Sequence, residues 1–91
     1  PKVLVVEDEE HIRHLLKRIL EMEGWQVTEA ENGLQGLERL QTLQPDLVLL
    51  DLLMPIMDGF SFVQEMRKSP EWKDIPVVIC TAKDLTDEDY Q

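Results

Sequence analysis

Hydrophobic residues along this chain fall into short runs that alternate with longer segments in which they recur at helical spacing. The short runs predict strands at Val3 to Val6, Trp25 to Ala30, Asp46 to Leu50 and Ile75 to Cys80. The spaced segments predict amphipathic helices that carry Ile12, Leu15, Leu16, Ile19 and Leu20, then Leu34, Leu37, Leu40 and Leu43, then Phe62, Val63 and Met66. Strands that alternate with helices predict an α/β fold with a parallel sheet, helices on both faces and right-handed crossovers.

Turn and capping residues lie between these segments and mark their limits. Gly24 is expected to end the first helix, Asn32-Gly33 to begin the second, and Asp58-Gly59 to begin the third. Gln44-Pro45 and Ser69-Pro70 are expected to close the second and third helices. Thr86 to Gln91 reads as the first turn of a further helix, so we expect a single domain over residues 1–91 that is incomplete at its carboxyl terminus.

Composition narrows the class of protein. The chain has 9 basic and 19 acidic residues, a net charge of −10, which argues against direct binding to nucleic acid by this segment. No apolar run approaches the roughly 20 residues needed to cross a bilayer, so no membrane contact is expected. The only cysteine, Cys80, excludes an internal disulfide and a zinc site built on cysteine pairs. We expect a cytoplasmic protein.

The candidate chemistry lies where the predicted strands end. Glu7 and Asp8 follow the first strand, Asp51 the third, and Thr81 the fourth. Since the carboxyl ends of parallel strands meet at one edge, three carboxylates and a hydroxyl should lie close together there. Oxygen ligands favour Mg²⁺, and a carboxylate beside Mg²⁺ is able to attack a phosphoryl group. Acids are also common at helix starts, but the coincidence with Asp51 and Thr81 favours a site.

Four segments resemble the receiver domain of bacterial two-component response regulators. They are VLVVEDEE, EAENG, DLVLLDLLMPIMDG and IPVVICTAKD, and the resemblance runs through the whole chain in order. It implies a flavodoxin-like, doubly wound sheet similar to that of chemotaxis regulators. The expected strand order is 2-1-3-4, with strand 5 and helix 5 missing.

The resemblance also implies residue roles. Asp51 would be the phosphoacceptor, taking a phosphoryl group from the phosphohistidine of a sensor kinase or phosphotransfer protein. Glu7, Asp8 and Asp51, with the backbone carbonyl of Leu53, would hold Mg²⁺. Thr81 would be the switch hydroxyl and Ala82 the small residue beside the phosphoryl group. Such a domain is a signalling protein that catalyses its own phosphotransfer rather than an enzyme acting on a separate substrate.

Alternatives remain at this point. The family's essential Lys belongs to a fifth strand that these residues do not include, so an interaction module that is not phosphorylated is the alternative function. An aspartyl phosphatase is disfavoured because Leu53 stands where that class needs a second acid.

Two surfaces of the predicted domain are candidates for contact with partners. On a helical wheel Ile12, Leu16, Ile19 and Leu20 are expected to point inward. A stripe along the border of that face would dock the kinase; its residues are His11, Leu15, Arg18 and Met22. The apolar strand 4 is expected to form an exposed edge, which favours an oligomer or an exchange of segments between chains.

Overall fold

Four parallel strands and three helices alternate along the described part of the chain, residues 1–51 and 57–79 of a computed structural model. The elements are β1 (Lys2–Val6), α1 (Glu10–Met22), β2 (Gln26–Ala30), α2 (Gly33–Leu40), β3 (Leu47–Leu50), α3 (Gly59–Lys68) and β4 (Val77–Ile79). Every predicted strand and helix up to Ile79 is therefore present. Several predictions fall outside the described residues: the roles of Leu53, Thr81 and Ala82, the end of the fourth strand at Cys80, and the helix beginning at Thr86.

The sheet has the strand order β2-β1-β3-β4, as predicted, and all its pairings are parallel. At the carboxyl ends of these strands, Val6 of β1 is in register with Ala30 of β2 and with Leu50 of β3. The hydrogen bonding continues one residue beyond the strands, because Glu7 donates its backbone N–H to the Ala30 carbonyl (3.1 Å) and Asp51 to the Val6 carbonyl (3.0 Å). These bonds hold the backbones of Glu7 and Asp51 side by side.

Side chains alternate across the sheet and divide the apolar residues between two faces. One face packs under α2 and α3 and forms the main buried cluster, which contains Leu4, Val6, Ala30, Leu40, Val48, Leu50, Phe62 and Met66. Val3 and Val5 point to the opposite face, where α1 packs on β1 and β2. Helices therefore cover both faces, which is the doubly wound arrangement.

Local capping explains the helix limits. The Asn32 side chain accepts a hydrogen bond from the backbone N–H of Gln35 (2.8 Å), and that of Asp58 accepts one from Ser61 (2.7 Å). Gly24 adopts a φ of 95° after α1, a conformation that favours glycine. The prediction that Leu43 belongs to the second helix is wrong, because α2 ends at Leu40. Leu43 instead packs against the main cluster from the turn that follows.

The orientation of α1 differs from the helical-wheel prediction. Ile19 was expected to point inward, yet it is 48% exposed, whereas Arg13 is only 6% exposed. The helix is therefore rotated about its axis so that Arg13 faces the sheet. Leu16 and Leu20 are half-buried in this orientation, and Ile19 is exposed to solvent. The physical reason is that β2 and the end of β1 offer polar partners to Arg13 beneath the helix.

β4 lies at the edge of the described sheet, and its Val78 and Ile79 side chains are exposed. The exposed apolar edge that the sequence predicts is thus present in this part of the chain. Within the described residues, no helix combines the length and the apolar character required to span a membrane.

Candidate metal centre at the carboxyl edge of the sheet

Three carboxylates converge where β1 and β3 end. Glu7, Asp8 and Asp51 each place one carboxylate oxygen within 4.8 Å of the others. The convergence follows from the topology, since β1 and β3 are neighbours and the Asp51 backbone N–H bonds to the carbonyl of Val6. The meeting of acids predicted from the strand ends therefore occurs for these three residues, while Thr81 lies outside the described ranges.

Burial gives this cluster unusual electrostatics. Glu7 and Asp51 are each 2% exposed, and Asp8 is half-buried. The pKa of Glu7 is raised to about 8. Burial is the main cause, and hydrogen-bonding contacts with the carboxyl groups of Asp51 and Asp8 contribute in the same direction. The backbone N–H of Glu9, which donates to Glu7 Oε2 (3.3 Å), acts in the opposite direction. Without a cation, the Glu7 carboxyl is therefore mostly protonated at neutral pH.

The donor set fits a hard divalent cation. Asp8 Oδ1 is buried and has no hydrogen-bond partner within the described residues. A buried carboxylate oxygen without a partner is costly, and a bound cation would satisfy it. All three side chains offer oxygen, the ligand that Mg²⁺ prefers, and the cluster contains neither His nor Cys. These residues thus fit Mg²⁺ with water completing its shell.

A buried arginine borders the cluster, and sequence reasoning missed it. Arg13 Nη1 donates a hydrogen bond to the backbone carbonyl of Glu7 (3.0 Å). Its Nε lies 3.9 Å from Oε2 of Glu29 on β2, an ion-pair distance too long for a hydrogen bond. The available signal was the position of Arg13 on the same helical face as Leu16 and Leu20, where a charge needs a buried partner.

The predicted docking stripe is exposed along its whole length. His11, Leu15, Arg18 and Met22 all lie on the solvent side of α1, and Leu15 is 56% exposed. Ile19, which was assigned to the interior, adds a further apolar side chain beside Leu15. The surface is thus more apolar than the sequence pattern suggested.

The fold and the acidic edge together define a doubly wound α/β domain with three carboxylates clustered at the carboxyl ends of its strands. A family model described as the response regulator receiver domain matches residues 3–90. The chain therefore belongs to the receiver domain family of response regulators, the signalling proteins of two-component systems.

Individual relatives and structures agree with this assignment. The chain is 40% identical over 82 residues to the DNA-binding dual master transcriptional regulator RpaA of Synechocystis, covering 90% of this chain and 34% of that protein. It is 42% identical over 81 residues to the KDP operon transcriptional regulatory protein KdpE of Escherichia coli, covering 89% and 35%. The chain thus spans about a third of these relatives.

Among solved structures, the fold is similar to the N-terminal domain of a response regulator receiver protein from Methanoculleus marisnigri. The TM-score is 0.83 at 32% identity, over 97% of this chain and 76% of that one.

Proposed function

We propose that this domain accepts a phosphoryl group on Asp51 from the phosphohistidine of a sensor kinase or phosphotransfer protein. An Asp51 carboxylate oxygen forms a bond to phosphorus as the phosphorus–nitrogen bond to the donor histidine breaks, and the imidazole keeps the electron pair of that bond. The product is an aspartyl phosphate. Support comes from the position of Asp51 at the end of β3, beside two further acids, and from membership of the receiver family.

The proposal includes a Mg²⁺ site made by the carboxylates of Glu7, Asp8 and Asp51, with the Leu53 carbonyl as a further ligand implied by the family resemblance. When bound, Mg²⁺ would offset negative charge on the incoming phosphoryl group. The observation that carries the proposal is the buried Oδ1 of Asp8, which has no hydrogen-bond partner in the described part of the chain and belongs to a cluster of three carboxylates. Such an arrangement is unfavourable on its own and becomes favourable with a cation.

Two residues outside the described part of the chain complete the proposed switch. The Thr81 hydroxyl would donate a hydrogen bond to a phosphoryl oxygen, and Ala82 would leave room for the phosphoryl group. Both roles rest on the match of the segment IPVVICTAKD to the receiver pattern. The kinase would dock on the exposed stripe of α1 formed by His11, Leu15, Arg18 and Met22.

The test uses the full-length protein that contains this chain, a small phosphodonor such as acetyl phosphate, and Mg²⁺. Intact mass should show the gain of one phosphoryl group, which EDTA prevents. Asp51→Asn should abolish it. Asp58→Asn is the matched control, because the same chemical change is made at an exposed acid and Asn caps a helix as well as Asp does.

Phosphorylation of the Asp51→Asn variant at the wild-type level would refute the assignment of the phosphoacceptor. A wild-type protein that folds but never takes up a phosphoryl group, with either acetyl phosphate or a kinase, would favour the alternative of an interaction module that is not phosphorylated.

A further inference from the structure

We propose that Arg13 is a positioning residue for Glu7 and Asp8, the acid pair that follows β1. It orients this pair through a hydrogen bond to the backbone carbonyl of Glu7. This inference rests on the proposed function, since it assigns a role in the Mg²⁺ site. It begins from an observation that neither the phosphoacceptor nor the docking surface explains: a 6% exposed arginine on α1.

The hydrogen bond from Arg13 acts on the peptide unit that joins the two acids. The Glu7 carbonyl belongs to the peptide bond between Glu7 and Asp8, and it accepts from Arg13 Nη1 at 3.0 Å. On the other side of Glu7, its N–H donates to the Ala30 carbonyl at 3.1 Å. Because a peptide unit is planar, fixing that carbonyl restricts the directions in which both the Glu7 and the Asp8 side chains leave the backbone.

Contacts of both its backbone and its side chain fix the position of Arg13. Its own backbone N–H donates to the Glu9 carbonyl (2.8 Å) in the first turn of α1, so its side chain reaches back towards the start of the helix. Glu29 stands 3.9 Å from its Nε and supplies the opposite charge from β2. α1, β2 and the end of β1 are thus connected through one guanidinium group, immediately behind the acid pair.

Stability alone does not account for this arrangement. The Arg13 side chain is buried and that of Glu29 is partly buried, so their ion pair loses hydration, and a well-packed apolar side chain in place of a buried charge often gives equal or greater stability. Arg13 Nε and Glu29 Oε1 also lack hydrogen-bond partners within the described residues, which adds to the cost. What an apolar residue does not provide is the hydrogen bond to the Glu7 carbonyl, and that bond is the feature we assign to the metal site.

The test compares Arg13→Met with wild type in the full-length protein, with Mg²⁺ alone as the probe. Titrations by calorimetry are run at pH 9, where protons compete little for Glu7. Outer-sphere partners of metal ligands typically affect affinity by about 10- to 100-fold, so we expect Mg²⁺ binding to weaken roughly tenfold. The melting temperature in EDTA should stay within a few degrees of wild type.

If Arg13 positions the acids, its replacement by Met should weaken Mg²⁺ binding; if it acts only through its charge, the same replacement should strengthen binding. A buried positive charge beside the acid pair repels a cation, so removing the charge alone would strengthen Mg²⁺ binding. Arg13→Lys keeps a donor and the charge and should recover most of the affinity. Arg67→Met is the matched control, because Arg67 also donates hydrogen bonds to backbone carbonyls, those of Lys73 and Ile75. These carbonyls lie in the segment before β4, at the amino ends of the strands, whereas the acids lie at the carboxyl ends.

The outcomes separate this inference from the proposed function. Mg²⁺ binding by Arg13→Met that equals or exceeds wild type, while wild type is still phosphorylated on Asp51, would overturn only the role of Arg13. Failure of the wild-type protein to bind Mg²⁺ would overturn both. If Arg13→Met does not fold, Arg13→Gln decides, because it removes the charge and shortens the donor: weaker Mg²⁺ binding than wild type supports the role, and binding that equals or exceeds wild type overturns it.

Discussion

Mg²⁺ binding should expel a proton from this domain, because the structure raises the pKa of one of the proposed ligands, Glu7. Burial of Glu7, together with the carboxyl groups of Asp51 and Asp8, raises its pKa to about 8. At pH 7 the Glu7 carboxyl is therefore largely protonated, and it must lose that proton to serve as a ligand. We expect release of most of one proton per ion at pH 7 and of much less at pH 9.

The raised pKa of Glu7 also determines the direction in which the affinity for Mg²⁺ changes with pH. Below the raised pKa, protons compete with the cation, so the apparent affinity for Mg²⁺ should rise about tenfold per pH unit up to pH 8 and then level off. Calorimetric titrations in buffers with different ionisation enthalpies measure the proton count directly. Glu7→Gln should bind Mg²⁺ without releasing a proton, whereas Glu10→Gln, a change at an exposed acid on α1, should behave as wild type.

Tight Mg²⁺ binding at pH 7 without proton release would refute the reasoning. It would mean that Glu7 is ionised in the metal-free domain or that it is not a ligand. The Glu7→Gln variant distinguishes these possibilities, because it should bind Mg²⁺ more weakly than wild type if Glu7 is an ionised ligand and equally well if Glu7 is not a ligand.

Three further results are expected. Asp8→Ala should weaken Mg²⁺ binding more than Glu10→Ala does in a calorimetric titration, and equal losses would contradict the site. Leu15→Asp should reduce phosphotransfer from the cognate kinase but spare acetyl phosphate, because an exposed side chain is changed; equal loss with both donors would indicate a damaged fold. Gly36→Ala would place a Cβ atom 2.6 Å from the Phe62 ring. Overpacking of about 1–3 kcal/mol outweighs a helix-propensity gain of about 1 kcal/mol, so urea denaturation should show a loss of roughly 1 kcal/mol.

Local pattern was sufficient for the elements and for the three acids of the site. Runs such as Val3 to Val6 and capping residues such as Asn32 and Asp58 act through neighbours in the chain, so their effect is visible in the sequence. The meeting of Glu7, Asp8 and Asp51 was also predictable, because parallel strands bring their carboxyl ends to one edge whatever the details of packing. The order of the strands came from the resemblance to receivers rather than from periodicity.

Only the tertiary structure decided how α1 sits on the sheet. Periodicity identifies an apolar face, but the roll of a helix about its axis depends on which partners lie beneath it. Here Glu29 and the Glu7 carbonyl accept Arg13 into the interior and leave Ile19 exposed. The raised pKa of Glu7 has the same origin, since it depends mainly on burial and on the Asp51 carboxyl group, which β3 brings beside it. Both are long-range effects, and neither is present in any local stretch of the chain.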